Sequence, residues 1–208
     1  MIMTTKATKF LRGLLAGAVF GLVAAGAQAQ AVVGQPAPAF TLTGVDGKAV
    51  NLADFRGRFV VLEWNNPHCP FVVKHYGSGN MQSLQKRFGE KDVAWLTINS
   101  TNAGHSEYMA PAALSAWMKE QGGAPTAVML DADGKVGPAF GARATPHMYV
   151  IDPKGTLVYA GAIDDKRSAN PADIKTANNY VVQALNEALA GKPISDASTT
   201  AYGCSIKY

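Results

Sequence analysis

Four short runs of almost unbroken apolar residues fix what this chain can become. They are Phe59-Val60-Val61-Leu62-Glu63-Trp64, Val93-Ala94-Trp95-Leu96-Thr97-Ile98, Ala127-Val128-Met129-Leu130 and His147-Met148-Tyr149-Val150-Ile151. A strand with one wet face alternates apolar and polar residues; a continuous run has no wet face, so these strands are covered on both sides. Between the runs the spacing turns helical. One helix begins just after Cys69, breaks at Gly77-Ser78-Gly79 and resumes with Met81, Leu84 and Phe88. Another covers about Pro111 to Gln121. The last takes Asn170 as N-cap and Pro171 at its first position, carries Ile174, Ala177, Val181, Ala184, Leu185, Ala188 and Leu189 at helical spacing, and ends at Gly191 and Pro193. Strands alternating with helices predict an α/β protein, a sheet with helices on both faces.

Turn chemistry adds two hairpins. Gly44-Val45-Asp46-Gly47 joins Ala39–Leu42 to Ala49–Leu52, and Asp152-Pro153-Lys154-Gly155 leads into Thr156–Ala160. No repeat, low-complexity tract or long polar linker divides the chain, so one domain is expected. At 208 residues, 48% hydrophobic and with 2 Cys, the chain is neither disordered, collagen-like nor a cysteine-dense mini-scaffold.

The N-terminus reads as an address label. Lys6, Lys9 and Arg12 precede the apolar run Leu14–Ala25, and Ala27-Gln28-Ala29 follows. This is the order of a secretory signal peptide, and the run is short for a membrane span. An uncleaved anchor is the alternative. We therefore expect a signal peptide at residues 1–29, a domain at 30–190 and a C-terminal tail at 191–208 carrying Cys204. Removing the leader leaves 16 basic against 15 acidic side chains. A near-neutral chain has no electrostatic pull toward nucleic acid or an anionic membrane surface. No other stretch could cross a bilayer, so the mature chain is expected to have no integral membrane segment. The expected destination is the periplasm, where a disulfide can persist.

Cys69 stands where the first apolar run gives way to a helix. A helix N-terminus favours thiolate by about 0.3–1 kcal/mol, and one pKa unit is about 1.4 kcal/mol, so the dipole alone moves a thiol by less than about one unit. Further activation needs cations or donors, and His68, Lys74, His75, Asn65 and Asn66 are close in sequence. The alternative is a small buried hydrophobe. Cys204 lies near the C-terminus, behind the breaker Gly191-Lys192-Pro193. Three roles are open to it: a resolving thiol for Cys69, a permanent structural disulfide with Cys69, or a thiol that pairs with another chain or stays free. Ile206 and Tyr208 favour a tail docked on the body.

The order of elements, the opening Gly34–Leu42 with Asp46-Gly47 and Asn51-Leu52, the run Val60–Trp64, and Thr145-Pro146-His147-Met148-Tyr149-Val150-Ile151-Asp152-Pro153-Lys154-Gly155 resemble the thioredoxin-like superfamily in its redoxin and peroxiredoxin branch. Cys69-Pro70-Phe71-Val72, Lys74-His75-Tyr76 and Gly203–Lys207 look closest to a peroxiredoxin-like subgroup. The resemblance implies a thioredoxin fold with an N-terminal hairpin extension and a C-terminal helix plus tail. It also implies thiol–disulfide or peroxide chemistry at Cys69, with Pro146 cis beside it. Three positions depart from the pattern. Val72 stands where thioredoxins carry their second cysteine. Leu62 and Asn66 stand where peroxiredoxins carry Pro and Thr or Ser. Asn66 could still donate a hydrogen bond to a peroxide or thiolate, and Arg143, near the Thr-Pro turn, is the arginine at hand.

The leading expectation is thus an exported thiol-based oxidoreductase of peroxiredoxin-like, antioxidant type. Cys69 and Cys204 would be catalytic, with Asn66, His68, Pro146 and Arg143 supporting. Its partners would be a hydroperoxide or a protein thiol or disulfide, and a reductant the sequence does not name. No cofactor and no metal are expected. The alternatives are a periplasmic thiol–disulfide exchange protein using the same pair, and a non-catalytic thioredoxin-fold protein with a structural disulfide. A metal-handling module built from Cys69, His68, His75 and His147 is a further class; on this fold, His147 is expected near the cysteine-bearing helix.

Overall fold

The computed structural model describes residues 1–3 and 30–208, so the expected signal peptide lies, from residue 4 to 29, outside the described residues. In chain order the elements are β1 (Thr41–Gly44), β2 (Ala49–Asn51), β3 (Val60–Trp64), α1 (Pro70–Gly77), α2 (Asn80–Gly89), β4 (Ala94–Asn99), α3 (Pro111–Glu120), β5 (Ala127–Leu130), α4 (Val136–Phe140), β6 (Ala144–Thr145), β7 (His147–Ile151), β8 (Leu157–Gly161), α5 (Tyr180–Leu189) and β9 (Cys204–Ser205).

All four apolar runs became adjacent strands. The seven-stranded sheet runs β2-β1-β5-β4-β3-β7-β8. β3 pairs parallel to β4, and β4 to β5, while β7 lies antiparallel on the other side of β3, with Trp64 opposite His147. The N-terminal hairpin does not stand apart: β1 pairs antiparallel with β5 and continues the sheet. The mixed sheet is the expected α/β architecture.

A strand sends successive side chains to opposite faces, and two separate apolar clusters result. Val61, Trp95, Val128, Met148 and Val150 face one side, where α1, α2, α3 and α5 contribute Val72, Leu84, Leu114 and Leu185. Val60, Leu62, Trp64, Leu96, Ile98, Met129, Tyr149 and Ile151 face the other, closed by Phe140 of α4 and by Phe40, Leu42 and Leu52 of the N-terminal segment.

The last predicted helix is broken in two. Asn170 caps as expected, its side chain accepting from the Ala172 N–H, but the stretch it opens is a 3-10 helix, Pro171–Thr176. The chain then extends at Ala177, and Asn179 caps α5 by accepting from the Val182 N–H. The break has a cause in pairing. The Asp165 N–H donates to Asn178 O, and the Tyr180 N–H to Ile163 O, so Asn178 and Asn179 lie against the segment after β8 instead of coiling. The short α4, and the two-stranded pairing of β6 with β9, were not expected.

Among the described residues, no helix is long and apolar enough to cross a membrane.

Candidate active site

Cys69 is the N-cap of α1, and Pro70 occupies the first helical position, where its missing N–H costs nothing. The Val72 and Val73 N–H groups both donate to Cys69 O, so the residue is fixed at the helix mouth. Its side chain is 1% exposed. It is covered by the C-terminal tail, because Cys69 and Cys204 form a disulfide across 135 residues, with Cα atoms 5.9 Å apart.

The tail reaches this position as a strand. β9 pairs antiparallel with β6, Thr145 opposite Cys204 and Ala144 opposite Ser205. Gly203, at φ +139°, presses its backbone onto the Thr145 carbonyl, where a Cβ would collide. Only glycine takes this path without strain. The Thr145–Pro146 bond is cis, as the resemblance implied. The Thr145 carbonyl oxygen lies 3.0 Å from Cys69 Sγ. A disulfide sulfur carries no hydrogen, so this is a close approach in the oxidised state; a reduced Cys69 thiol could donate there. Further along, Lys207 O accepts from the Asn102 N–H at 2.7 Å, and Tyr208 Oη donates to Ala142 O at 2.9 Å. The tail is docked, as Ile206 and Tyr208 foretold, but Cys69 is closed over instead of open to solvent.

The expected supporting residues do not all converge on the sulfurs. Asn66 is buried, but its amide Nδ2 donates to Glu107 Oε2 at 2.6 Å and its Oδ1 accepts from the His68 N–H. It shapes the loop before Cys69 instead of aiming a donor at the sulfur. His68 is exposed and lines, with Pro70, Val73, Lys74, Ala169 and Pro171, a cleft of about 440 Å³ beside α1. Arg143 is exposed, and its backbone N–H donates to His147 Nδ1.

His147 is not near the cysteine-bearing helix, contrary to expectation. It shares the face of Tyr149, whose Oη lies 3.2 Å from His147 Nδ1, and it lines with Arg143 and Thr199 a cleft of about 280 Å³. The strand period explains this: Met148, not His147, shares the face of Val61 and Cys69. Burial, with Arg143 adding to it, lowers the His147 pKa to about 4. Among the described residues no group of three or more His, Cys, Asp or Glu side chains could hold a metal.

Two buried polar groups flank α1, and sequence reasoning singled out neither as a site. Glu63, inside β3, accepts from Tyr76 Oη at 2.9 Å, Trp95 Nε1 at 2.8 Å, Thr97 Oγ1 at 3.2 Å and Asn65 Nδ2 at 3.0 Å. Burial pushes its carboxyl above the ordinary range, against these donors. Its signal was legible: one carboxylate within a continuous apolar run, with Thr97 directly opposite in the next run. Asp164, after β8, takes Lys74 Nζ at 3.5 Å and lies 3.8 Å from His75 Nε2. Burial above all lowers the His75 pKa to about 4, with Asp164 opposing. No local pattern marked Asp164, because Lys74 lies 90 residues away in the chain.

A family model described as Redoxin matches residues 32–180. The chain belongs to the Redoxin family. The Redoxin match ends before the tail, so Tyr202 and Cys204 both lie beyond it. A curated relative, thiol-disulfide oxidoreductase ResA of Bacillus subtilis (strain 168), is 30% identical over 125 residues; these make up 60% of this chain and 64% of ResA, so the chain spans less than two thirds of that relative's length. An uncharacterized conserved protein from Geobacillus kaustophilus is 30% identical, with TM-score 0.73, over 85% of this chain and 92% of that one. The thioredoxin domain of a thiol-disulfide oxidoreductase from Bacteroides vulgatus, 20% identical, superposes with TM-score 0.51 over 70% of this chain and 96% of that domain, a likeness of fold. This Redoxin chain has the thioredoxin fold.

Proposed function

We propose that this Redoxin chain is an exported thiol–disulfide oxidoreductase, working in the periplasm through Cys69 and Cys204 of a 30–190 domain and its 191–208 tail. One observation carries the reading: the two cysteines, 135 residues apart, meet as a disulfide at the N-terminus of α1. The name of the ResA relative, a thiol-disulfide oxidoreductase, supports the same class.

The chemistry runs in two halves. A donor thiolate attacks the sulfur of Cys204, the less buried of the two residues, and Cys69 leaves as a thiolate at the helix mouth. A leaving thiol of lower pKa leaves faster, so the dipole acts on the correct atom. A second donor thiolate then breaks the mixed disulfide and releases Cys204; the donor has lost two electrons and the chain has gained two. With the tail displaced, Cys69 thiolate attacks a substrate disulfide and expels one substrate thiolate. Cys204 then attacks the mixed disulfide at Cys69 and expels the second, restoring the bond.

The peroxiredoxin-like reading uses the same sulfurs: Cys69 thiolate attacks a hydroperoxide, breaks its O–O bond and expels the alcohol or water, becomes sulfenic acid, and condenses with the Cys204 thiol to form the disulfide and release water. The geometry favours exchange over peroxide reduction, because Asn66 is bonded to Glu107 and Arg143 neighbours His147 on the opposite face. Mixing the reduced chain with stoichiometric peroxide or with a disulfide-bonded protein separates the two. We expect rapid oxidation of Cys69 by the protein disulfide, and reaction with peroxide no faster than that of a free thiol. A Cys204→Ser variant should trap a mixed disulfide at Cys69. A chain that neither traps substrate nor consumes peroxide carries only a structural staple.

A further inference from the structure

Tyr202 sits two residues before Cys204, buried, and its hydroxyl donates to Asp164 Oδ1. Its ring meets Phe71 edge-on at 5.7 Å, and Lys74 Nζ lies 5.7 Å from the ring centre and 3.5 Å from its hydroxyl oxygen. Lys74 Nζ also pairs with Asp164 at 3.5 Å and donates to Lys166 O at 3.0 Å, while the Lys166 N–H donates to Asp164 Oδ1 at 2.9 Å. Phe71 and Lys74 belong to α1, the helix that Cys69 opens. The group that grips the tail is therefore built on the element that holds the other sulfur. Tyr202 packs on Phe71 and Cys204 bonds to Cys69, so both side chains face the body, with Gly203 pressed on Thr145 between them.

We propose that Tyr202, held by Asp164 and Lys74, is a positioning residue that keeps the tail seated while the disulfide is open, so that Cys204 stays within reach of Cys69. This rests on the reading of the pair as redox-active. The consequence is thermodynamic. The oxidised chain holds the tail covalently, and the reduced chain holds it only by contacts. Loosening Tyr202 destabilises the oxidised and the reduced docked states alike but leaves the reduced undocked state untouched. Population drains to that state, and the disulfide becomes easier to reduce. The contacts of Lys207 and Tyr208 remain, so the effect is partial.

The test equilibrates the full-length chain with dithiothreitol at fixed pH, in mixtures of its dithiol and its cyclic disulfide. Two electrons and two protons pass from the dithiol to the Cys69–Cys204 pair. Tyr202→Phe keeps the ring on Phe71 and removes only the hydroxyl. We expect an equilibrium constant shifted tenfold toward the reduced chain, a midpoint about 30 mV less negative. Closing of a glutathione mixed disulfide at Cys69 by Cys204 should slow in parallel. Asp164→Asn tests the same latch from the other side and should shift the midpoint the same way. A residue important only for packing would lower the melting temperature of both redox states and leave the midpoint unmoved, and that result in both variants overturns the proposal. Substrate turnover with an unmoved midpoint defeats the latch alone; a shifted midpoint without turnover defeats the oxidoreductase reading and leaves the latch standing.

Discussion

Tyr76 and Lys74 lie two residues apart on α1 and serve different buried carboxylates. Tyr76 reaches Glu63, which is surrounded by uncharged donors drawn from α1, β4 and Asn65 just after β3. Lys74 reaches Asp164, and so does the hydroxyl of Tyr202. The first network lies within the Redoxin match and needs nothing from the tail; the second is completed only when residues beyond that match fold back. An acid held by neutral donors can take up a proton without unpairing a cation. An acid that opposes a buried Lys cannot, because removing either charge leaves the other unpaired in a dry interior. The Glu63 side is a fixed property of the domain, and the Asp164 side is where tail and domain are joined.

The largest expected effect tests that join. Cys204→Ser frees the tail end of a loop spanning 135 residues. In the chain-entropy model, closing such a loop contributes about 5 kcal/mol. Urea unfolding should show the variant less stable than the oxidised chain by about that amount, and equal to the reduced wild type. A much smaller loss would mean that the noncovalent contacts of the tail already restrict the reduced chain.

Next comes the sign of the pH dependence, which should be opposite on the two sides. His75, beside Asp164 and Lys74 and hydrogen-bonded to Asn80, has its pKa lowered from 6.5 to about 4. Between those values the unfolded chain binds a proton that the folded chain refuses. The stability tied to His75 is therefore complete above 6.5 and drains as pH falls toward 4, by about 3 kcal/mol. His75→Gln should flatten that slope relative to wild type. Glu63 has a raised pKa, from a reference of 4.5. Its contribution is complete below 4.5 and is lost as pH rises through the higher folded value. Glu63→Gln should remove this fall, so that the stability gap between variant and wild type narrows as pH climbs. A shared sign would break the distinction between the two networks.

Much of this was legible before any coordinates, for reasons that also explain the gaps. The four apolar runs, the helix after Cys69 and the Thr145-Pro146 turn are local patterns, and local periodicity decides them. The predicted helix from Asn170 failed at residues 177–179 because backbone pairing with the segment after β8 overrode an acceptable helical spacing. His147 was expected near Cys69 from its place in the chain, but the pleat of β7 turned it to the other face. Cys204 was readable as a partner for Cys69; its docking by Tyr202 was not, since Asp164, Lys74 and Tyr202 come together only through the tertiary fold.

The smallest expected effect gives the sharpest contrast. Tyr76→Phe removes a hydroxyl that donates to Glu63 and accepts from Gln85 Nε2 at 3.2 Å. The loss of these two buried hydrogen bonds should cost about 2 kcal/mol. Every partner of that hydroxyl lies in the domain and none in the tail, so the oxidised and reduced chains should lose the same amount. The midpoint potential of the Cys69–Cys204 pair should then stay where it is. The chemically identical change at Tyr202 moves the midpoint because one of its states releases the tail. Measuring both tyrosine variants in the same thiol buffer compares the same deleted atom on the two sides of α1. A midpoint shift in Tyr76→Phe would show that the Glu63 network reaches the sulfurs through α1 itself, and the two buried acids would then belong to one coupled site.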